Sequence, residues 1–302
     1  MPKSRRTLKT TLAVVFFMAS IGVTTSVHSP SMASADERNA VADSAPSTSP
    51  CPTHAVKLPR VNLNDTGLIE TDSRTQMAVS YSPVGVGYSS QASQRPLPAL
   101  SLIKLYIGQY VLDNGTADDV KQVEKMISRS DDDLAADFYR KYPLSVDSIA
   151  TEYGLYNTSG GEKWGVSKTT AEDVVAFVSQ LRLKHPNSEV LEAMRHWSPV
   201  AADGYRQNFG LAGLSGSEGA KMGWSNQRTW HSSVVFGPGY VMAAITEGGK
   251  YDHTEDVAEG IVGVDYRDLM KSAKSAGKKT NQKTGQKVAR ETPKARAVRT
   301  GH

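Results

Sequence analysis

The chain has 302 residues, with 35 Lys and Arg against 31 Asp and Glu, and a formal net charge of +4 at pH 7. This length allows one large domain or two small ones with tails, and the single cysteine, Cys51, excludes an internal disulfide. Residues 1–35 carry four basic side chains and no acidic ones. Residues 271–302 carry ten basic side chains and one acidic one, so the part of the chain between these two segments has a net negative charge.

The N-terminus has the pattern of a secretory signal. Basic residues up to Lys9 precede the apolar run Leu12–Val23, which is too short to span a bilayer, and Ala33-Ser34-Ala35 supplies a cleavage pattern. We expect a signal peptide over 1–35 and export by the Sec route, or by the twin-arginine route that Ser4–Lys9 also fits. The mature protein is therefore predicted to be secreted or held in the cell envelope, with no transmembrane segment.

Two segments are predicted to be disordered. Residues 36–65 are rich in Ala, Ser, Thr and Pro and lack periodicity, and residues 271–302 form a basic tail. The tail contains Ser275-Ala276-Gly277-Lys278 and Lys283-Thr284-Gly285, but a polar segment without a core does not hold a catalytic geometry. Its charge would suit an anionic cell-wall polymer or a membrane surface, and a solvated tail without a ligand is the alternative. The domain itself is placed at 66–270.

Within 66–270 the elements follow in a definite order. Short strands are expected around Met77–Val79 and Val84–Val86. A helix begins near Ala99, is apolar nearly all round, and ends at Asn114-Gly115, residues that tolerate a left-handed cap. The remaining predictions are helices over 117–127, 131–142, 169–181 and 188–197, strands over 220–224, 229–236 and 240–245, and a final helix over 254–273. Thr169 with Glu172 fits a capping box at the start of the fourth helix.

This order predicts an α+β fold. An antiparallel sheet should be flanked by terminal helices, and a shortened helical lobe should be inserted between the first strands and the later ones.

Ser101 and Lys104 are the best candidates for covalent chemistry. They lie one helical turn apart at the start of a helix that lacks a clear polar face, so Lys104 would be buried. Burial lowers the pKa of a lysine, and such a lysine can accept the proton of a serine nucleophile. The alternative is an exposed Ser and Lys on an amphipathic helix.

Two further motifs extend this pair. Ser130-Asp131-Asp132 would cap the third helix, or Ser130 would relay a proton while Asp132 bonds to Lys104 or to a ligand. Lys221-Met222-Gly223 lies on a predicted strand, where Lys221 could bind a carboxylate and Gly223 would allow a ligand backbone to approach. The alternative for Lys221 is a solvated lysine before a turn.

Together, the three motifs resemble those of the serine β-lactamase and penicillin-binding (D,D-peptidase) superfamily, and most closely its class A β-lactamase-like branch. The resemblance covers roughly 66–270 and extends from Ile127 to Ala136 beyond the second motif. It implies that Ser101 is acylated, that Lys104 is its base and that Ser130 is the proton relay. It also implies an oxyanion site formed by the N–H of Ser101 and of a residue near Trp224.

The chain departs from this family at several positions. Asp132 stands where a neutral amide is usual, and Met222 removes a hydroxyl. No Glu-x-x-Asn pattern for a deacylating water occurs between Asp133 and Lys221, although Glu152 and Glu162 lie in that region. Trp230 stands where the next strand usually carries an arginine, and Arg228, two residues earlier, is expected on the same strand face.

The resulting prediction is a secreted serine hydrolase that acts on β-lactams or on D-Ala-D-Ala-like stem peptides of peptidoglycan. Its catalytic residues would be Ser101, Lys104 and Ser130, and its substrate-binding residues are predicted to be Asp132, Lys221, Gly223, Trp224 and Arg228. No metal, cofactor or nucleic acid is expected. The alternative is a non-catalytic envelope protein that keeps the fold for binding.

Overall fold

The computed structural model describes residues 58–82, 86–91 and 93–275. The predicted signal peptide, the linker up to residue 57 and the tail from residue 276 lie outside these residues. Residues 58–65, assigned to the linker, lie among the described residues and pair with the C-terminal part of the chain. Asn62 N–H donates to Gly260 O at 3.0 Å, and Val262 N–H donates to Arg60 O at 2.8 Å.

Five strands form one antiparallel sheet in the order β2-β1-β7-β6-β5. They are β1 (Thr75–Tyr81), β2 (Val86–Ser89), β5 (Gly219–Trp224), β6 (Trp230–Gly237) and β7 (Tyr240–Glu247). A separate two-stranded sheet pairs β3 (Leu97–Pro98) with β4 (Lys168–Thr169). The three late strands pair as neighbours, as predicted, and β5 lies at an edge.

The helices between β3 and β5 form the predicted lobe. They are α1 (Ile103–Asn114), α2 (Ala117–Ser128), α3 (Asp132–Lys141), α4 (Ser145–Tyr153), α5 (Ala171–Lys184) and α6 (Glu189–Arg195). A 3₁₀ turn, Leu100–Leu102, leads directly into α1. The sequence did not predict α4, and Gly115, which follows α1, is extended (φ −80°, ψ 169°) rather than left-handed.

The sheet separates two apolar cores, because successive side chains of a strand point to opposite faces. On the lobe side, Val234 and Phe236 pack in one cluster with Ile103 and Phe177. On the far side, Val235 and Met242 join residues of the C-terminal helices. The fold class is therefore α+β, as predicted. Terminal helices were also predicted, and those among the described residues follow the last strand, at the C-terminal side of the sheet.

The single helix predicted over 254–273 is wrong, because two helices occupy this part of the chain. They are α7 (Lys250–Glu259) and α8, which covers residues 266–275 of the described chain. The break has a tertiary cause, since Ile261 forms a β-bridge with Val61 and a Cβ at Gly260 would lie 2.6 Å from Met77 Sδ.

The cap of α5 is one residue later than predicted. Thr170, not Thr169, is the N-cap, and its hydroxyl accepts from Asp173 N–H at 3.1 Å. Thr169 lies in β4, and its hydroxyl contacts that of Tyr106 at 3.1 Å.

None of the helices in the described chain is long and apolar enough to cross a membrane.

Candidate active site

Ser101 lies in the 3₁₀ turn that opens α1. Leu100, just before it, adopts a left-handed conformation (φ +54°), which sets the entry of the chain into the helix. Ser101 is 4% exposed and Lys104 is fully buried. The alternative of an exposed Ser and Lys on an amphipathic helix is therefore wrong, and α1 is enclosed on nearly all sides, as its sequence indicates.

Lys104 is the centre of the site. Its Nζ lies 3.0 Å from Ser101 Oγ, 3.3 Å from Ser130 Oγ, 3.2 Å from Ser130 O and 2.5 Å from Asp132 Oδ1. Burial lowers the pKa of Lys104, and the nearby carboxylate of Asp132 opposes that shift. The lysine thus touches the hydroxyls of two serines and has a pKa below the ordinary value of 10.5.

Ser130 lies in the turn between α2 and α3 and has a positive φ of +52°. The capping function falls to Asp131 instead, since its Oδ1 accepts from Leu134 N–H at 3.1 Å. Ser130 and Asp132 on either side of the cap both contact Lys104. Within this motif, the helix is therefore capped by Asp131, and the contacts with Lys104 are made by Ser130 and Asp132.

Lys221 reaches the same point from β5. Its Nζ donates to Ser130 Oγ at 2.8 Å and to Met222 O at 2.7 Å. It is 1% exposed, so the alternative of a solvated lysine is wrong. Burial lowers the pKa of Lys221 well below the ordinary value, and the nearby charge of Lys104 acts in the same direction.

Gly223 allows β5 to pass directly beside Ser101. A Cβ at this position would lie 2.8 Å from Ser101 N, 2.6 Å from Ser232 Oγ and 3.0 Å from Leu100 Cβ. Such distances leave no room for a side chain. Met222 is fully buried in the far-side core, so its side chain does not line the site.

Trp224 and Arg228 meet at a side wall of the site. Trp224 Nε1 donates to Asp203 Oδ2 at 3.2 Å, and Arg228 forms an ion pair with the same oxygen at 3.1 Å. The Arg228 guanidinium lies 4.0 Å from the ring centroid of Tyr205. Arg228 has φ +61° and lies before β6 begins at Trp230, so its predicted place on the face of that strand is wrong.

The sequence analysis missed two residues of this region. The Trp164 ring centroid lies 4.4 Å from Lys104 Nζ, and the charge of Asp203 favours the protonated form of both lysines. Neither residue belongs to a sequence motif, because each lies in a loop that the fold brings to the site from a distant part of the chain. Asp203 follows a segment in which Ala202 N–H donates to Arg129 O at 2.7 Å, beside Ser130.

Glu152 and Glu162 are both exposed, and the carboxylate that hydrogen-bonds to Lys104 within the described chain is that of Asp132. Among the same residues, no three His, Cys, Asp or Glu side chains are grouped to hold a metal ion. The geometry brings together the Ser101 hydroxyl, a lysine of lowered pKa, a second hydroxyl and a second lysine. This set can transfer an acyl group and relay the proton that the transfer releases.

Comparison with solved structures finds chains of similar fold. Penicillin-binding protein D2 from Listeria monocytogenes is 19% identical, with 66% of this chain and 96% of that chain covered and a TM-score of 0.44. A D-alanyl-D-alanine carboxypeptidase from Mycobacterium tuberculosis is 14% identical, with 72% and 96% covered and a TM-score of 0.47. A β-lactamase from Streptosporangium roseum is 13% identical, with 69% and 93% covered and a TM-score of 0.47.

No protein-family model matches the chain, and no curated protein matches it.

Proposed function

We propose that this protein is a serine acyl-transfer hydrolase of the β-lactamase/D,D-peptidase type. Its substrates would be β-lactams or peptides that end like D-Ala-D-Ala, such as the stem peptides of peptidoglycan. The observation that carries the proposal is the hydrogen-bonded series Ser101, Lys104, Ser130 and Lys221, all at most 4% exposed. Two buried lysines held to two serines have a high desolvation cost, which a structural role alone does not explain.

The geometry supports the following first step. Ser101 Oγ forms a bond to the substrate carbonyl carbon, and its proton passes to the neutral form of Lys104. The electron pair of the carbonyl bond moves to the oxygen, which the N–H of Ser101 and a backbone donor near Trp224 stabilise. The lowered pKa of Lys104 makes its neutral form more accessible than that of an exposed lysine.

Collapse of this intermediate breaks the carbon–nitrogen bond. Ser130 gives its hydroxyl proton to the leaving nitrogen and regains one from Lys104, which completes the transfer. Lys221, which lies 2.8 Å from Ser130 Oγ, attracts the substrate carboxylate and holds Ser130 in place. Water then hydrolyses the ester and restores Ser101. Because the sequence lacks the Glu-x-x-Asn pattern, we expect this last step to be slow.

The second candidate function is ligand binding without turnover, and two contacts of Lys104 favour it. Asp132 Oδ1 at 2.5 Å and the face of Trp164 at 4.4 Å both stabilise the ammonium form, which cannot accept a proton. A permanently protonated Lys104 would leave Ser101 inactive, whereas the two lysines would still attract a carboxylate.

Covalent labelling decides between the two candidates. The mature protein is exposed to a fluorescent penicillin and its intact mass is measured beside Ser101→Ala and beside Ser148→Ala, an exposed serine of α4. We expect an adduct in the native protein and in Ser148→Ala, and none in Ser101→Ala. Ring-opened penicillin without an adduct would indicate rapid deacylation. Intact penicillin, together with no cleavage of a D-Ala-D-Ala peptide, would favour the non-catalytic protein.

We also propose export, on the pattern of residues 1–35. N-terminal sequencing of protein recovered from the culture fluid or envelope should begin at Asp36. Accumulation of a chain that retains residues 1–35 in the cytoplasm, with none outside it, would contradict export.

A further inference from the structure

A cavity lined by none of the residues of the Ser101 site lies near Tyr205. It has a volume of about 370 Å³ and is bounded by residues 206–208, the start of α7 and α8. Five cationic side chains line it, namely Arg206, Lys250, Arg267, Lys271 and Lys274. We call it the basic cleft.

The charges of the basic cleft are largely uncompensated. Among the residues that the structure describes, no Asp or Glu lines the cleft. Two carboxylates lie at its exposed edge: Asp268 is 3.9 Å from Lys271, and Asp265 Oδ1 accepts from Arg267 N–H at 2.7 Å. Lys250 instead lies over aromatic rings, 5.2 Å from the centroid of Tyr251 and 5.7 Å from that of Tyr205. Clustered cations without counterions repel one another, so an anion would stabilise them.

Asn208 adds a neutral amide to the cations that line the cleft. It lines the cleft and is only 8% exposed, yet its side-chain amide makes no hydrogen bond within the described part of the chain. An amide that lines a cleft in this way can donate to and accept from a bound molecule as well as from water. A ligand in the cleft would provide oxygens for this amide and for the cations together.

We propose that the basic cleft binds a linear phosphate-bearing polymer. Arg and Lys close together are suited to phosphate oxygens, and several cations along one cleft suit a chain of anionic groups. The surface of α8 argues against a bilayer as the partner, because its apolar residues Leu269 and Ala273 face the core and its exposed residues are charged or are serines.

Tyr205 lies between the basic cleft and the candidate active site. Tyr205 contacts Lys250 on the cleft side, and on the other side it lies beneath Arg228, at 4.0 Å, and beside Trp224. A bound polymer would therefore hold the protein with its candidate active site beside that polymer. The binding itself does not depend on the proposed acyl transfer, since no residue of the cleft belongs to the Ser101 site.

The test uses the full chain with long-chain inorganic polyphosphate as the probe, and measures affinity as a function of salt. The cleft variant is Arg267→Gln/Lys274→Gln, at two exposed positions with no ion pair in the described chain. Its matched control is Lys121→Gln/Lys184→Gln, which removes the same charge from exposed positions of α2 and α5. Asn208→Leu, which keeps the volume and removes the amide, is measured beside them.

We expect native protein and control to bind alike and the cleft variant to bind about tenfold more weakly. Its slope of log affinity against log salt should fall by about two. Asn208→Leu should weaken binding without changing that slope. Equal weakening in the cleft and control variants, no binding of polyphosphate, tighter binding of polyglutamate, or binding of phosphatidylglycerol vesicles alone would each overturn the proposal. Penicillin labelling measured in parallel keeps this outcome separate from that of the proposed function.

Discussion

At the scale of single residues, the protonation state of Lys104 decides whether this site reacts. Burial favours the neutral amine, whereas Asp132 and the Trp164 ring favour the ammonium ion. The carboxylate of Asp132 therefore acts on Lys104 itself, beyond any effect on a ligand.

Asp132→Asn should make Lys104 a better base. Loss of the carboxylate lowers the pKa of Lys104 further, and the neutral amine that accepts the proton of Ser101 then appears at lower pH. If that pKa falls by about one unit, acylation below it should be about tenfold faster, and the rate should reach its plateau at lower pH. The measurement is the pH profile of penicillin acylation, with Asp133→Asn, an exposed neighbour on α3, as the control. An unchanged profile would mean that Asp132 does not tune Lys104.

Gly223→Ala should slow acylation of Ser101. The added methyl would lie 2.8 Å from Ser101 N, so β5 and the start of α1 must move apart. A displacement near 1 Å is expected to slow acylation by about 100-fold. Gly165→Ala is the control, because its Cβ would meet no atom within 4 Å. Normal acylation by the Gly223 variant would show that the close approach of β5 is not needed.

At the scale of elements, the N-cap residue of α3, Asp131, stabilises the turn between α2 and α3 that carries Ser130 and Asp132. Asp131 caps α3 and also forms an ion pair with Lys125 of α2 at 3.2 Å. The cap therefore ties the two helices together at the point where Ser130 turns toward Lys104.

Asp131→Ala should reduce both stability and acylation. Loss of an N-cap costs about 1 kcal/mol of the free energy of unfolding, and here it also frees the turn that orients Ser130. Thr116→Ala, which removes the N-cap of α2 away from the site, is the matched control. Denaturant unfolding should show a similar loss in both variants, and acylation should slow only in Asp131→Ala. Equal acylation rates in the two variants would show that the cap has no part in positioning the site.

At the scale of the whole molecule, a buried polar series joins the sheet to α7. His253 is fully buried, with Nε2 2.8 Å from Ser233 Oγ and Nδ1 2.7 Å from Thr246 Oγ1. The series continues through Thr75, whose hydroxyl donates to Asp256 at 2.6 Å. Burial lowers the pKa of His253 from 6.5 to about 3. The histidine is therefore neutral in the folded protein and holds α7 against β6 and β7.

Stability should fall as the solution is acidified. Below pH 6.5 the unfolded chain binds a proton at this position that the folded chain does not, until the pH nears 3. The loss attributable to His253 between pH 7 and pH 5 is about 2 kcal/mol in the free energy of unfolding. His253→Gln should flatten this dependence, whereas His185→Gln, at an exposed position, should not. A steep acid dependence that survives in His253→Gln would assign it to other groups.

The sequence by itself determined the features that depend on near neighbours in the chain. The apolar surface of α1 and the three-residue spacing of Ser101 and Lys104 follow from helical periodicity. The strands β5 to β7 follow from β-like runs separated by glycine-rich turns. The sequence analysis missed α4, and it merged α7 with α8 because the break depends on pairing with residues 60–62.

Only the tertiary structure decided which distant groups meet. Trp164 and Asp203 reach the lysines through loop paths that no local pattern encodes, and the position of Arg228 depends on where the turn before β6 ends. The basic cleft likewise combines residues 206–208, α7 and α8. Local propensity acts over a few residues, whereas these contacts are set by how buried surfaces pack across the whole chain.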